Sequence, residues 1–163
     1  SLNTPIVTLD GFRLAELEEK DKLHEVEFLL HIPQNCVLDT KSLSFQAEVK
    51  DGYLRGFLDL VFIYRGQYFV ADWKTTSLGL THIAYAAELL PQAMEEHGYQ
   101  MQALIYTYAL QQYLEKKTSE TEWKIGGVIY LFTRGVNPLY PGDGLHIQSP
   151  CIQDIQHLFR NVP

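Results

Sequence analysis

Two runs rich in Val, Ile, Phe and Tyr, residues 53–64 and 67–74, meet at Arg65-Gly66, and nothing else in this chain constrains its fold as tightly. β-branched and aromatic residues at alternating positions suit a pleated strand, and a short Gly-containing link between two such runs predicts a tight hairpin. A two-residue loop at Arg65-Gly66 sets Tyr64 opposite Gln67, Ile63 opposite Tyr68, Val61 opposite Val70 and, further out, Asp59 opposite Asp72. Lys74 follows Asp72 by two positions, so the pleat returns it to the same face. Leu58, Leu60, Phe62, Phe69, Ala71 and Trp73 are expected on the other, apolar face, which places the hairpin inside the fold.

Opposed carboxylates on one sheet face repel unless something positive lies between them. Burial sharpens the problem, since an uncompensated ion costs several kcal/mol in effective terms. A hard divalent cation such as Mg²⁺ or Mn²⁺, which binds carboxylates, carbonyls, waters and substrate phosphates, satisfies the pair and implies phosphoryl chemistry. Two other readings stay open on spacing alone: Asp59 and Asp72 as unrelated surface carboxylates, or Lys74 in a salt bridge with one of them at a strand end.

The rest of the chain fits one α/β domain of 163 residues. Residues 1–22 are charged and read as a connector or tail. A strand is expected at 26–32, stopped by Pro33, then a loop at 33–44 and a strand at 45–50. Residues 82–97 predict a helix interrupted at Pro91, and 99–117 a stronger one. A buried strand at 127–132, a Pro/Gly-rich loop at 135–144 and a helix at 151–160 complete the order. Gln102 and Tyr106 lie four apart on the long helix and share a face, the plainer account being core packing for Tyr106 and a solvated helix position for Gln102.

With no apolar run near the ~20 residues that span a bilayer, and no signal-peptide pattern, a soluble cytoplasmic protein is expected. A net charge of −7 argues against a module that binds nucleic acid alone through a basic surface. Cys36 and Cys151 are the only cysteines, too few for a cysteine zinc site or an iron–sulfur cluster. Two buried free thiols are expected, a disulfide being the alternative.

Gly56-x-x-Asp59 followed by Asp72-Trp73-Lys74 on a hairpin, then Gln102-x-x-x-Tyr106 on a helix, resembles the PD-(D/E)XK nuclease superfamily in its RecB-like branch, and the similarity runs from about residue 23 to 144. The segment from Gly126 and Gly127 to Arg134 and Gly135 belongs to the same likeness. The resemblance implies a three-layer restriction-endonuclease-like fold, a central mixed sheet carrying the catalytic β-hairpin with helices on both sides. It implies that Asp59, Asp72 and the backbone carbonyl of Trp73 ligate Mg²⁺, with Mn²⁺ or Ca²⁺ as substitutes, and that Lys74 orients the attacking water and stabilises charge on the scissile phosphate. Gln102, Tyr106 and Tyr99 would help position DNA.

The implied activity is exodeoxyribonuclease action within an ATP-dependent RecBCD-type helicase–nuclease (exodeoxyribonuclease V) of double-strand break repair and recombination. Its partners would be DNA, other subunits of the complex and a recombinase, with no membrane. The family also has an upstream histidine ligand on a helix. His24 and His31 fall in or beside the 26–32 strand instead, so the ligand is expected before Ser1, in the remainder of a longer polypeptide, and weak or absent activity is expected of the isolated chain. His82, His97, His146 and His157 are expected to be surface or packing residues. A non-catalytic module docking partner subunits or a recombinase is the competing reading.

Overall fold

A computed structural model describes residues 5–6, 9–32, 48–117, 119, 122–151, 153–154 and 157. Its centre is a six-stranded mixed sheet: β3 (Lys22–His31), β4 (Glu48–Lys50), β5 (Tyr53–Tyr64), β6 (Gln67–Lys74), β7 (Lys124–Phe132) and β8 (Leu145–Gln148). The spatial order is β3-β5-β6-β7-β8, with β4 also pairing β5. All pairs are antiparallel except β6 with β7. That parallel pair needs a long crossover, supplied by α1 (Leu90–Glu96) and α2 (Tyr99–Lys117). A short hairpin, β1 (Pro5–Ile6) with β2 (Phe12–Arg13), precedes the sheet.

The β5–β6 hairpin has the expected register, from Tyr64 opposite Gln67 to Leu60 opposite Ala71. Arg65 and Gly66 both take positive φ, 48° and 74°, the signature of the primed turn that matches strand twist.

Two cores flank the sheet. Leu54, Leu58, Val61, Val70, Val128, Tyr130 and Phe132 pack with Leu90, Met94, Ala103, Tyr106, Leu110 and Leu114 of the helices. On the other side Leu60, Phe62, Phe69, Ala71, Ile129 and Leu131 pack with Ile6, Leu14 and Leu145. Both described α-helices contribute to the first core, while Ile6, Leu9, Phe12, Leu14 and Leu17 cover the second, so residues expected to be a connector supply Ile6 and Leu14 to the interior.

The expected apolar face needs one correction: Leu58 packs on the helix side and Leu60 on the opposite side. Strict alternation breaks between them, where the β3–β5 ladder skips from His24–Leu60 to Val26–Leu58 and Glu25 takes φ 50°. A local irregularity of this kind re-aims side chains, and here it falls at Asp59.

Other boundaries differ for identifiable reasons. β3 begins at Lys22, inside the charged stretch, because its first residues pair with Phe62 and Val61. Pro91 starts α1 instead of interrupting it, since a first-turn proline has no hydrogen bond to lose; residues 82–85 form a separate 3₁₀ turn. α2 buries Tyr99, Ala103, Tyr106, Leu110 and Leu114 on one stripe and Ile105, Thr107 and Ala109 beside it, so most of its circumference is covered, and it places Lys116 and Lys117 where the helix dipole favours cations. Cys151 is free and exposed, not buried. Cys36, the 33–44 loop and most of the 151–160 helix lie outside the described residues. No helix among the described residues is long and apolar enough to cross a membrane.

Candidate active site

Asp59 and Asp72 stand one position beyond the last β5–β6 ladder pair. In place of a further ladder bond, the Trp73 amide donates to Asp59 Oδ2 at 3.2 Å, holding the two strands together at the mouth of the site. Both aspartates line a cavity of about 310 Å³ with Phe57, Trp73, Lys74, Thr75, Thr76, Tyr99, Gln102 and Tyr106. A larger cavity, about 390 Å³, opens near Gln67, Lys124 and Ser149 at the other end of β6 and β7, but no carboxylate lines it.

Asp72 is 4% exposed and engaged on both oxygens. Its Oδ1 accepts from the Tyr106 hydroxyl at 3.1 Å, and Tyr106 accepts in turn from Gln102 Nε2 at 3.0 Å. Gln102 and Tyr106 therefore act on Asp72 as a buried relay, and α2 positions a carboxylate on β6. The Lys74 ammonium lies 2.8 Å from Asp72 Oδ2 as an ion pair, although no donor aligns with that oxygen in hydrogen-bond geometry. Lys74 also sits 4.3 Å from the centroid of the Tyr99 ring and 5.4 Å from that of Tyr130.

Burial pushes the Asp72 carboxyl above the ordinary aspartate value of 3.8, outweighing the opposing pull of Lys74, and the Asp59 charge adds to the rise. Burial, then the charges of Asp72 and Asp59, raises the Tyr106 phenol far above its usual range, so it remains a neutral donor. Tyr130 is raised for the same first reason.

Donor chemistry suits a hard divalent cation. Asp72 Oδ2 is held only by the Lys74 ion pair, Gln102 Oε1 is a buried oxygen without a hydrogen-bond donor, Asp59 adds a second carboxylate, and every such group is an oxygen. Among the described residues no group of three or more His, Cys, Asp or Glu side chains comes together, so two carboxylates are what the described chain offers. His24 and His31 are exposed on β3. His82 stacks on Tyr140, His97 on Tyr99, and His146 pairs with Gln148; none of the six histidines lines the cavity.

The structure thus brings together Asp59, Asp72, Trp73, Lys74, Tyr99, Gln102 and Tyr106. It adds Phe57, Thr76 and Tyr130, which spacing did not single out. Tyr130 reaches this place because β7 runs parallel to β6 with Tyr130 beside Asp72. Alternation in 127–132 groups Val128, Tyr130 and Phe132 on one face, but the parallel pairing that aims that face at Lys74 is not written in local spacing.

The family model that matches, across residues 9–157, is that of the PD-(D/E)XK nuclease superfamily. Over 156 residues the chain is 35% identical to the RecBCD enzyme subunit RecB of Escherichia coli K12, covering 86% of this chain and 13% of that protein. Similarity to the RecB subunit of Haemophilus influenzae is 34% over 169 residues, 96% of this chain and 14% of that protein. Against RecB of Mycobacterium tuberculosis H37Rv it is 41% over 88 residues, 52% and 8% respectively. The chain therefore spans only about 13–14% of the first two of these relatives.

Proposed function

This chain belongs to the PD-(D/E)XK nuclease superfamily, and on that footing we propose that it is the nuclease domain of a RecB-type helicase–nuclease, an exonuclease that hydrolyses phosphodiester bonds of DNA with Mg²⁺ held by Asp59 and Asp72. The observation that carries this reading is the convergence of two carboxylates and a lysine from one hairpin on a single polar cavity. Similarity to RecB subunits supports a place beside other subunits of a RecBCD-type complex, acting on DNA ends in the bacterial cytoplasm during repair and recombination.

Asp59, Asp72 and the Trp73 carbonyl would hold the cation. When bound, it supplies Lewis-acid polarisation of the phosphoryl oxygen and makes water a better nucleophile at neutral pH. Lys74 orients the attacking water and stabilises the negative charge that grows on the phosphate, in a site where water competes little. As the water oxygen bonds to phosphorus and gives up a proton to solvent, the P–O ester bond breaks and the departing oxygen takes a proton from solvent. Tyr106 and Gln102 keep Asp72 aimed at the cavity, and Gln102 Oε1, with Tyr99, borders the space where the nucleic acid enters. The chain's negative charge is no obstacle where DNA is delivered by positive surfaces elsewhere in a larger assembly.

A docking module for partner subunits or a recombinase does not account for this arrangement. Docking has no use for a nearly buried Asp72 beside Lys74, a pair that costs desolvation and yields little net stability. The test is cleavage of end-labelled linear DNA by the chain at high protein concentration with Mg²⁺. Alanine at Asp59, Asp72 or Lys74 is expected to lower the rate about 100-fold or more. Measurable cleavage that is equal in all four proteins would favour the docking module.

A further inference from the structure

We infer that Tyr99 and Tyr130 are positioning residues for Lys74, forming an aromatic seat that fixes where its ammonium stands in the cavity. The inference rests on the reading of Lys74 as the group that meets the scissile phosphate. Its Nζ lies 4.3 Å from the Tyr99 ring centroid and 5.4 Å from that of Tyr130. The two rings face each other at 5.7 Å with an interplanar angle of 18°. An aromatic face attracts a cation through its quadrupole, and the attraction strengthens as water is excluded. Water is largely excluded here: the Lys74 side chain is 11% exposed, Tyr99 4% and Tyr130 fully buried.

The rings are themselves braced. Tyr130 donates its hydroxyl hydrogen to the Tyr99 carbonyl at 3.1 Å, and the Tyr99 hydroxyl shares a 2.8 Å hydrogen bond with Thr76 Oγ1. The hydroxyls thus anchor the rings, which leaves ring faces to hold the ammonium. A lysine stem loses much rotamer freedom when fixed. With Asp72 as sole partner, the ammonium would wander whenever that carboxylate engaged something else. The seat is independent of Asp72, so Lys74 keeps a fixed address. Tyr99 then acts on catalysis through Lys74, and Thr76, just beyond β6, is its brace.

The test is carbon-13 NMR of the lysine side chains in the metal-free chain, together with single-stranded DNA cleavage under saturating Mn²⁺. Ring currents should move the Lys74 ε-CH₂ resonance upfield of the exposed lysines. Tyr99→Phe keeps the ring, loses only the hydroxyl tie to Thr76 and should keep most of that shift, whereas Tyr99→Leu should abolish it and lower kcat about tenfold. If Tyr99→Leu does not fold, Tyr99→Met, which keeps bulk without the ring, takes its place and should move the same resonance toward the exposed-lysine position. A Lys74 resonance among the exposed lysines in the unmodified chain, or an unaltered kcat in folded Tyr99→Leu, would overturn the inference. Cleavage that survives Lys74→Ala would instead overturn the reading of Lys74 itself, while leaving the shift in place.

Discussion

Tyr106 donates a hydrogen bond to Asp72 Oδ1 at 3.1 Å across 34 residues of chain, coupling the centre of α2 to the end of β6. Replacing that hydroxyl by hydrogen in Tyr106→Phe keeps the ring and removes the hydroxyl's bonds to Asp72 and Gln102. Groups that orient metal-binding carboxylates are worth 10- to 100-fold in affinity, so Mn²⁺ binding should weaken by about tenfold or more. The buried Asp72 oxygen and Gln102 amide also lose a partner, at about 1–3 kcal/mol of stability. Calorimetric Mn²⁺ titration and urea unfolding of the two proteins measure both effects.

The raised pKa of Asp72 sets a pH dependence for the metal-free chain. The folded state holds the proton to higher pH than the unfolded chain does, so over that window the contribution of Asp72 to stability falls as pH rises. It is fully present below the ordinary aspartate value of 3.8 and is lost as pH passes the raised folded value. Asp72→Asn has no proton to lose there. The difference in thermal midpoint between the two proteins, measured from acid to neutral pH in chelator, should therefore shift steadily in favour of the Asn variant. With Mg²⁺ present the trend should weaken or reverse, because a cation binds the ionised carboxylate.

Gly56 lies opposite Phe28 in the β3–β5 ladder, and a Cβ at Gly56 would stand 2.5 Å from Phe28 Cζ. Phe28 packs edge-on against Tyr106, with ring centroids 6.1 Å apart. Gly56→Ala must displace the Phe28 ring, and with it the edge contact on Tyr106 of the relay that orients Asp72. A cost of about 1–3 kcal/mol is expected from overpacking, with DNA cleavage reduced as well. Thermal unfolding and a cleavage assay check the pair of effects, and Phe28→Leu in the same chain should relieve part of both.

Phe57 is 46% exposed yet lines the cavity beside Asp59, and the Arg55 guanidinium lies 5.8 Å from its ring centroid. On the proposed reading of the cavity as a phosphodiester site, this exposed ring is placed to stack on a nucleobase. Stacking is worth about 1–3 kcal/mol per base, so Phe57→Ala should raise KM for single-stranded DNA at least about fivefold and leave the thermal midpoint nearly unchanged. Steady-state cleavage kinetics on oligonucleotides provide the measurement.

How much of this was legible beforehand divides along physical lines. The hairpin register followed from Arg65-Gly66 and the period-two pattern, because turn geometry and pleat are local properties. Asp59, Asp72 and Lys74 follow from it, whereas helical spacing puts Gln102 and Tyr106 on one face without assigning them a role, which only the family resemblance implies, and it does not foretell that Gln102 is buried. The reversal of sides between Leu58 and Leu60 was not legible, since it depends on a shared irregularity with Glu25 on a neighbouring strand. Tyr130 was missed for a similar reason: its position over Lys74 comes from a parallel crossover that short-range patterns do not encode. β8 also escaped, its four residues following a Pro/Gly-rich stretch and being ordered by pairing with β7.

The account turns on whether Asp59 and Asp72 jointly hold one divalent cation. Mn²⁺ titration followed by electron paramagnetic resonance, in which bound ion loses the free-ion signal, asks this without requiring turnover. The expected result is one ion per chain, with that site lost in Asp59→Asn and in Asp72→Asn alike. Undiminished binding in both variants, or no binding by the unmodified chain at millimolar Mn²⁺, would contradict it.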